Sequence, residues 1–161
     1  MIVISDTSCL FYLVRLQCVE ILPAMFGEII VPPKVAAELA AGSTRYPQIH
    51  AVINADWFQI RTLRDDLSPS TFPPDIDPGE AEAIKLALEM DADQLLMDDL
   101  AGRRLALKLQ IPILGCLGVL LRARKLDLIG PLRPILAELV EHLGFRASPA
   151  LVEAILKEAG E

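Results

Sequence analysis

Short apolar runs alternate with longer amphipathic stretches along the chain, and this alternation predicts a mixed α/β fold. Strands are predicted over residues 1–5, 28–31, 57–61, 94–97 and 111–114, most of them rich in apolar and β-branched residues. Helical patterns lie between them, and strands that alternate with helices are typical of a parallel sheet covered on both faces. The pattern therefore predicts a three-layer α/β/α architecture with a central parallel sheet, in a single domain over residues 1–161.

Caps, prolines and glycines mark the ends of the predicted helices. Thr7 or Ser8 can cap the first helix, and Pro32-Pro33 ends the second strand and opens the next helix. Asp77-Pro78-Gly79-Glu80 is a further helix start. The predicted helices lie near residues 10–16, 33–41, 47–55, 77–88, 100–109, 132–142 and 149–159, and a further helix follows a tight turn at Gly115 and Gly118 and ends at Arg124-Lys125. Residues 65–77 contain three prolines and predict a long loop.

Composition and the few special residues narrow the class of protein. The chain is 53% hydrophobic, so it can form a core, but it has no apolar run long enough to cross a membrane. The three cysteines, Cys9, Cys18 and Cys116, match no zinc pattern and are predicted to be free thiols in a reducing compartment. His50 and His142 are isolated along the chain. With no signal peptide at the N-terminus, these features predict a cytoplasmic protein.

The charge is unevenly distributed. The net charge of −7 argues against a protein that coats nucleic acid, because such a protein would be basic overall. Residues 75–99 contain nine acidic residues and one basic residue, whereas residues 101–146 contain eight basic and three acidic residues. An acidic region beside a basic one suits a metal site that also holds a polyanion, and ordinary solvated helix faces explain the pattern equally well.

Acidic residues directly follow two of the predicted strands. Asp6 follows the first strand, and Asp98 and Asp99 follow the fourth. Ligands of open parallel sheets bind beyond the carboxyl ends of the strands, so these carboxylates are predicted to share a site. Alternatively, Asp6 caps the next helix, and one of the adjacent pair caps the helix that begins at Leu100. Adjacent carboxylates repel each other unless a cation lies between them.

Two glutamates on predicted helices are further candidates, and each has a structural alternative. Glu80 has capping-box spacing from Asp77, which explains it without any function. Glu38 lies at the flank of the apolar face of its helix, where an exposed ion pair with Lys34 is the alternative. Carboxylate oxygens are the ligands that hard divalent cations prefer, and a two-metal phosphodiesterase needs several of them.

The order of these motifs resembles that of the PIN-domain family, in particular small prokaryotic members related to VapC-type toxin ribonucleases. The resemblance covers nearly the whole chain, to about Phe145. It rests on Ile2 to Ser8, Val31-Pro32-Pro33-Lys34-Val35-x-x-Glu38-Leu39, Asp77-Pro78-Gly79-Glu80-Ala81-Glu82-Ala83-Ile84, the strand ending in Asp98-Asp99, and Gly115-Cys116-Leu117-Gly118-Val119-Leu120-Leu121.

The resemblance implies a PIN-like fold and a ribonuclease that depends on Mg²⁺ or Mn²⁺. Many small members are the toxin of a toxin–antitoxin pair, are homodimeric and are silenced by a small antitoxin protein. By the resemblance, the catalytic acids are Asp6, Glu38, Glu80, Asp98 and Asp99, and the metal ligands are Asp6, Glu80, Asp98 and Asp99. Which of the last two binds metal stays open. The chain departs from many toxin members, which have aspartate at position 80 and Thr-x-Asp in place of Asp98-Asp99.

Hydroxyl and basic residues complete the implied site. Thr7 or Ser8 is expected to hydrogen-bond a metal ligand or a phosphate. Six basic residues are expected to hold the RNA backbone, with an ordinary surface charge as the alternative for each: Arg103, Arg104, Lys108, Arg122, Arg124 and Lys125.

Two other functions compete with the nuclease. One is a non-catalytic PIN-like module that binds nucleic acid or a protein, and it predicts weak or absent metal binding. The other is a phosphatase of the haloacid type that uses Asp6 as its nucleophile. Such enzymes carry a second aspartate two residues further on, where this chain has Ser8.

Overall fold

A sheet of five parallel strands forms the centre of the molecule, in the order β3-β2-β1-β4-β5. The computed structural model describes residues 1–64 and 72–161. Each of the five predicted strands is present, and each is shorter than predicted. Their bounds are β1 Val3–Ser5, β2 Ile29–Val31, β3 Phe58–Ile60, β4 Gln94–Leu96 and β5 Ile113–Leu114.

Helices cover both faces of this sheet, so the predicted three-layer α/β/α architecture is confirmed. In the described part of the chain they are α1 Thr7–Arg15, α2 Ile21–Phe26, α3 Pro33–Gly42, α4 Ile49–Ile53, α5 Pro78–Glu89, α6 Leu100–Lys108, α7 Cys116–Lys125, α8 Leu132–Ala137 and α9 Pro149–Glu158. Helix α8 continues into a π-helical segment, Glu138–His142, within the predicted helix over residues 132–142.

Two local predictions were wrong. Helix α2 was not predicted, because it is only six residues long, contains Pro23 and has no capping side chain. Its buried residues, Ile21, Leu22 and Phe26, are too few to show helical spacing in the sequence. The cap of α1 is Asp6 rather than Thr7 or Ser8, which both lie within the first helical turn.

The two central strands explain why the acidic residues meet. Strands β1 and β4 are almost entirely apolar and buried, as expected for parallel strands that are covered on both faces. Ser5 of β1 lies opposite Leu96 of β4. The residues that follow these two strands therefore leave the sheet side by side at its carboxyl edge.

Two further expectations concern segments outside the sheet. Of the predicted loop over residues 65–77, residues 65–71 lie outside the described part of the chain, and residues 72–77 form turns and bends. Within residues 1–64 and 72–161, no helix combines the length and apolar character needed to cross a membrane.

Candidate active site

Asp6 is the most buried carboxylate at the carboxyl edge of the sheet. Its side chain is 1% exposed, and its backbone N–H donates to the carbonyl oxygen of Leu96 at 3.1 Å. Its Oδ1 accepts from the backbone N–H of Cys9 at 3.0 Å and thereby caps α1, so the capping alternative is confirmed for this oxygen. Its Oδ2 is buried and has no hydrogen-bond partner among the described residues.

The surroundings of Asp6 oppose its negative charge. Burial raises the pKa of Asp6 from 3.8 to about 8, against the hydrogen bond from Cys9, which lowers it. The nearby carboxylates of Asp98, Glu80 and Asp99 contribute to this rise after burial. The side chain thus lies in a place where an ionised carboxylate is unstable unless a positive charge joins it.

Asp98 follows β4 and is held in the same manner as Asp6. Its Oδ1 accepts from the backbone N–H of Cys116, the first residue of α7, at 2.9 Å. Its Oδ2 is buried and lacks a partner within the described part of the chain. Burial raises the pKa of Asp98, while the hydrogen bond from Cys116 and the charge of Arg103 oppose that rise. Each of the two strand-end aspartates therefore has one anchored oxygen and one free oxygen.

Glu80 and Asp99 lie closer to the solvent. Glu80 Oε2 accepts from the backbone N–H of Asp77 at 3.3 Å, so the predicted capping contact at the start of α5 is present. Burial and then the charge of Asp99 nevertheless raise the pKa of Glu80 from 4.5 to about 7. Asp99 is exposed and caps α6, because its Oδ2 accepts from the backbone N–H of Gly102 at 3.0 Å. Capping accounts for one oxygen of each residue and does not explain why the charge of Asp99 acts on Glu80.

Glu38 reaches this group from α3. The hydroxyl of Thr7 donates a hydrogen bond to Glu38 Oε2. The Glu38 carboxylate also lies against Gly79, where an added Cβ would come within 2.6 Å of Oε1. The alternative ion pair with Lys34 does not form among the described residues, in which Lys34 donates its backbone N–H to Glu82. The half-buried Glu38 therefore packs toward α1 and α5 and not toward its own helix.

An open cleft of about 900 Å³ lies at this edge of the sheet. Glu80, Asp98 and Asp99 line it, whereas Asp6 and Glu38 do not. Its other lining residues include Ser8, Tyr12, Asp77, Leu100, Arg103, Gly115, Phe145, Arg146 and Leu151. The cleft thus combines acidic residues with two arginines and several apolar side chains, and Arg103 lies beside Asp98.

The comparison with protein families agrees with this arrangement. The family model DUF3368, described as a PIN domain, matches residues 2–161. The chain belongs to the PIN-domain family. No curated protein and no solved structure shows significant similarity to it. The PIN domain has a nuclease-type fold, and its members are generally nucleases that use divalent metals.

The basic residues predicted from the sequence separate into two groups in this PIN domain. Arg103 lines the cleft, and its guanidinium donates to the carbonyl oxygen of Met97 at 3.1 Å. Arg104 and Lys108 are exposed on the same helix, α6. The other three lie in the last turns of α7, where Arg124 and Lys125 form ion pairs and Arg122 lies over the ring of Phe26. These positions are at least about 9 Å along the helix axis from Cys116, at the end remote from the cleft.

Sequence reasoning missed one side of the cleft. Arg146 and Phe145 line it, and the ring of Phe145 packs edge-on against Tyr12 at 5.2 Å between centroids. These residues come from the segment between the π-helical turn and α9, which is far in sequence from α1. No local sequence pattern predicts a contact between Phe145 and Tyr12. For Arg146 the one available signal was the general excess of basic residues after residue 100.

A divalent cation fits the site of this PIN domain. Asp6 and Asp98 each direct one anchored oxygen at a helix N-terminus and keep one buried oxygen without a donor among the described residues. Buried polar atoms are normally satisfied, so these two oxygens point to a missing partner. Among described residues, no three carboxylates have oxygens within 4.8 Å of one another. This spacing suits a cation that keeps several of its water ligands, as Mg²⁺ does.

The cysteines take an unexpected position. All three are free, as predicted, but Cys9 and Cys116 lie together beside Asp98, with the two sulfurs and a carboxylate oxygen within 4.8 Å of one another. A hydrogen bond with the Cys116 thiol, followed by burial, raises the pKa of Cys9 well above its usual range. Their sequence spacing matches no metal motif because α1, β4 and α7 each supply one member of the group.

Proposed function

We propose that this PIN-domain protein is a divalent-metal-dependent ribonuclease that hydrolyses RNA phosphodiester bonds. The observation that carries the proposal is the state of Asp6, a buried carboxylate with three acidic neighbours and one oxygen that has no hydrogen-bond partner in residues 1–64 and 72–161. An uncompensated buried charge costs several kcal/mol, so such a group persists where a ligand offsets it. A cation held by Asp6 and Asp98 supplies that compensation.

The chain's own residues define where the metal and the scissile phosphate bind. Asp6 and Asp98 present Oδ2 to the cation, while the N-termini of α1 and α7 fix their other oxygens. Glu80 and Asp99 line the cleft and complete the ligand set from its open side. Glu38, which accepts a hydrogen bond from Thr7, borders the acidic group on the side of α3. A bound hard cation activates a water molecule and stabilises charge on the phosphoryl oxygens.

The basic and aromatic lining of the cleft suits a single RNA strand. Arg103 and Arg146 can neutralise backbone phosphates, since both line the cleft that contains the acidic group. Tyr12 and Phe145 also line the cleft as a half-buried, edge-on aromatic pair, and aromatic side chains in such a groove can stack with bases. Arg104 and Lys108 extend the basic surface along α6.

We also propose a role as the toxin of a toxin–antitoxin pair that acts as a homodimer. Support comes from the apolar side chains beside the cleft, where Leu100 is 61% exposed and Leu151 is 45% exposed. An antitoxin segment laid across the acidic residues could bury both leucines. Co-purification with the product of a neighbouring small gene, and its inhibition of RNA cleavage, would test the pairing. Sedimentation analysis would test the dimer.

The decisive experiment for the nuclease is calorimetric titration of Mg²⁺ and Mn²⁺ into metal-free protein, followed by cleavage assays on single-stranded RNA. The wild type is expected to bind metal and to cleave RNA. Asp6→Asn should lose both, because asparagine keeps the cap of α1 and removes the charge. Asp127→Asn is the matched control, since Asp127 is 88% exposed and its carboxylate pairs with Arg124.

The same experiment separates the nuclease from a non-catalytic binding module. Weak or absent metal binding, together with no cleavage of any RNA tested, would favour the module. An Asp6→Asn variant that still cleaves RNA would refute the assignment of the site.

A further inference from the structure

We propose that Cys9, Cys116 and Asp98 form a second metal site, one that takes a thiophilic divalent cation such as Zn²⁺ at the floor of the cleft. Their two sulfurs and one carboxylate oxygen lie within 4.8 Å of one another in the metal-free protein. Tetrahedral zinc with bonds of about 2.0–2.3 Å holds its ligand atoms roughly 3.3–3.8 Å apart. Small side-chain rotations therefore bring the three atoms into coordination, with water or a fourth ligand on the open side.

The helix N-termini beside both thiols partly offset the burial and negative charges that oppose a thiolate, and a bound cation would supply the remaining compensation. Cys9 lies in the first turn of α1 and Cys116 is the first residue of α7, so both thiols lie at the positive ends of helices. The two backbone N–H groups donate to Oδ1 of Asp6 and of Asp98, which ties each thiol to an acidic neighbour. As a cation binds, both thiols release their protons to solvent.

A second observation, independent of the sulfur positions, points to a ligand in this place. Asp98 Oδ2 and Asp6 Oδ2 are both buried and have no hydrogen-bond donor among the residues that the structure describes. Asp6 is 1% exposed, and its charge and that of Asp98 both act on Cys9. Of the two aspartates only Asp98 belongs to the cluster, so its Oδ2 is the cluster atom that the described residues leave without a donor.

A way into the cluster exists. Both cysteines are fully buried, but Asp98 lines the cleft together with Ser8, Gly115 and Leu117, the chain neighbours of the two cysteines. A cation that enters the cleft meets Asp98 first and reaches the thiols behind it.

This site shares Asp98 with the hard-cation site of the proposed nuclease, and in that respect alone it rests on the proposed function. Zinc bound by the two thiolates would withdraw the Asp98 carboxylate from a magnesium ion. Thiolate ligands select zinc over magnesium, which takes oxygen ligands. We therefore expect zinc to reduce magnesium binding by competition for this one carboxylate.

Cobalt absorption spectroscopy on the intact, reduced chain tests the site, because thiolate-bound Co²⁺ gives a near-ultraviolet charge-transfer band that carboxylate-bound Co²⁺ lacks. The wild type should show this band, and added Zn²⁺ should remove it. Cys9→Ser and Cys116→Ser should each weaken or abolish it. Cys18→Ser is the matched control, because Cys18 lies outside the cluster, and it should leave the band unchanged.

A measurement on the wild type protects the test against variants that fail to fold. X-ray absorption at the zinc edge counts the sulfur atoms bound to Zn²⁺, and two are expected. No charge-transfer band, or a zinc ion without sulfur ligands, would overturn the proposal. Magnesium calorimetry is read separately, so magnesium binding without a cobalt–thiolate band would remove this site and leave the nuclease proposal standing. A cobalt–thiolate band without magnesium binding would support this site and count against the nuclease proposal.

Discussion

Charged side chains have different neighbours in the cleft at the carboxyl edge of the sheet and in the last turns of α7. At the end of α7, Arg124 pairs with Asp127 and Glu161, and Lys125 pairs with Glu158. In the cleft, acidic residues gather with Arg103 as their one cationic neighbour among the causes of their pKa shifts. Two of the three basic residues at the end of α7 thus have acidic partners among the described residues, although Arg124 Nε is buried without a hydrogen bond there, whereas the carboxylates of the cleft lie beside like charges.

The pKa values of the two regions make the same contrast. A hydrogen bond from the backbone N–H of Leu132, helped by Arg133 and Arg124, lowers the pKa of Glu161. Burial and like charges raise the pKa of Asp6 to about 8 and that of Glu80 to about 7. An acid with hydrogen-bond donors and arginines around it is held ionised, and acids that are buried among like charges are held toward their neutral form.

The largest expected effect that tests this contrast is the pH dependence of stability in the metal-free protein. The pKa of Asp6 is 3.8 when unperturbed and about 8 when folded, so the folded chain binds this proton more tightly than the unfolded chain. The stability that protonated Asp6 provides is present below about pH 4 and is lost as the pH rises toward 8. Metal-free Asp6→Asn should therefore exceed the wild type in unfolding free energy at pH 8 by about 1–3 kcal/mol.

Thermal melting in chelator at pH 5 and pH 8 measures this difference. For a chain of this size, roughly 2–4 °C in Tm corresponds to each kcal/mol. The gap between the variant and the wild type should widen with pH, and magnesium should raise the Tm of the wild type alone. Equal pH profiles for the two proteins would show that Asp6 is not held in a site that opposes its charge.

The positions of these acids could be predicted from the sequence, but their environments could not. Asp6, Asp98 and Asp99 follow strands that can be recognised in the sequence from short apolar runs. Because these strands are adjacent and parallel, the three aspartates lie at one edge of the sheet. The burial of Asp6 and the proximity of the free thiols of Cys9 and Cys116 depend on how α1 and α7 pack. Residue spacing along the sequence does not predict this packing. Arg146 joins the cleft through a contact between Phe145 and Tyr12 that is remote in sequence.

The acidic partners of the basic residues could not be predicted from the sequence either. Arg103 and Lys125 both lie on amphipathic helices, and no local sequence feature shows which of them has an acidic partner. Lys125 has a partner because α9 brings Glu158 to it, with the two charged atoms 2.6 Å apart. Arg103 lines the cleft because α6 begins at the carboxyl end of β4. Tertiary packing, and not residue type, decides which bases remain available to a ligand.

The second prediction displaces an acid of the cleft without changing any charge. An alanine Cβ at Gly115 would lie 2.7 Å from both Asp98 Oδ1 and Arg103 Nη1, so Gly115→Ala should move the Asp98 carboxylate. Loss of such support around a metal ligand typically weakens binding by about 10–100-fold, and we expect magnesium affinity to fall within that range. Gly130→Ala is the control, because no atom lies within 4 Å of the added Cβ. Equal affinities by calorimetry would argue against Asp98 as a ligand.

The third prediction compares a base of the cleft with a base at the end of α7. Arg146 is exposed in the cleft, and Lys125 is exposed but paired with Glu158. Arg146→Ala should weaken binding of single-stranded RNA and reduce the slope of log affinity against log salt by about 0.7, as expected for one phosphate contact. Lys125→Ala should leave both nearly unchanged. Fluorescence anisotropy in chelator measures both variants, and the reverse result would move the RNA path to the end of α7.

The smallest expected effect concerns the stability of the paired region itself. The side chains of Lys125 and Glu158 are 50% and 57% exposed, so solvent screens their attraction despite the short contact. A double-mutant cycle with Lys125→Ala and Glu158→Ala should give a coupling energy of about 0.2–1 kcal/mol by chemical denaturation. Magnesium affinity should not change in any of the variants, because neither side chain lines the cleft. A change in metal binding would mean that the two regions are coupled, and that the charges of α7 contribute to the site after all.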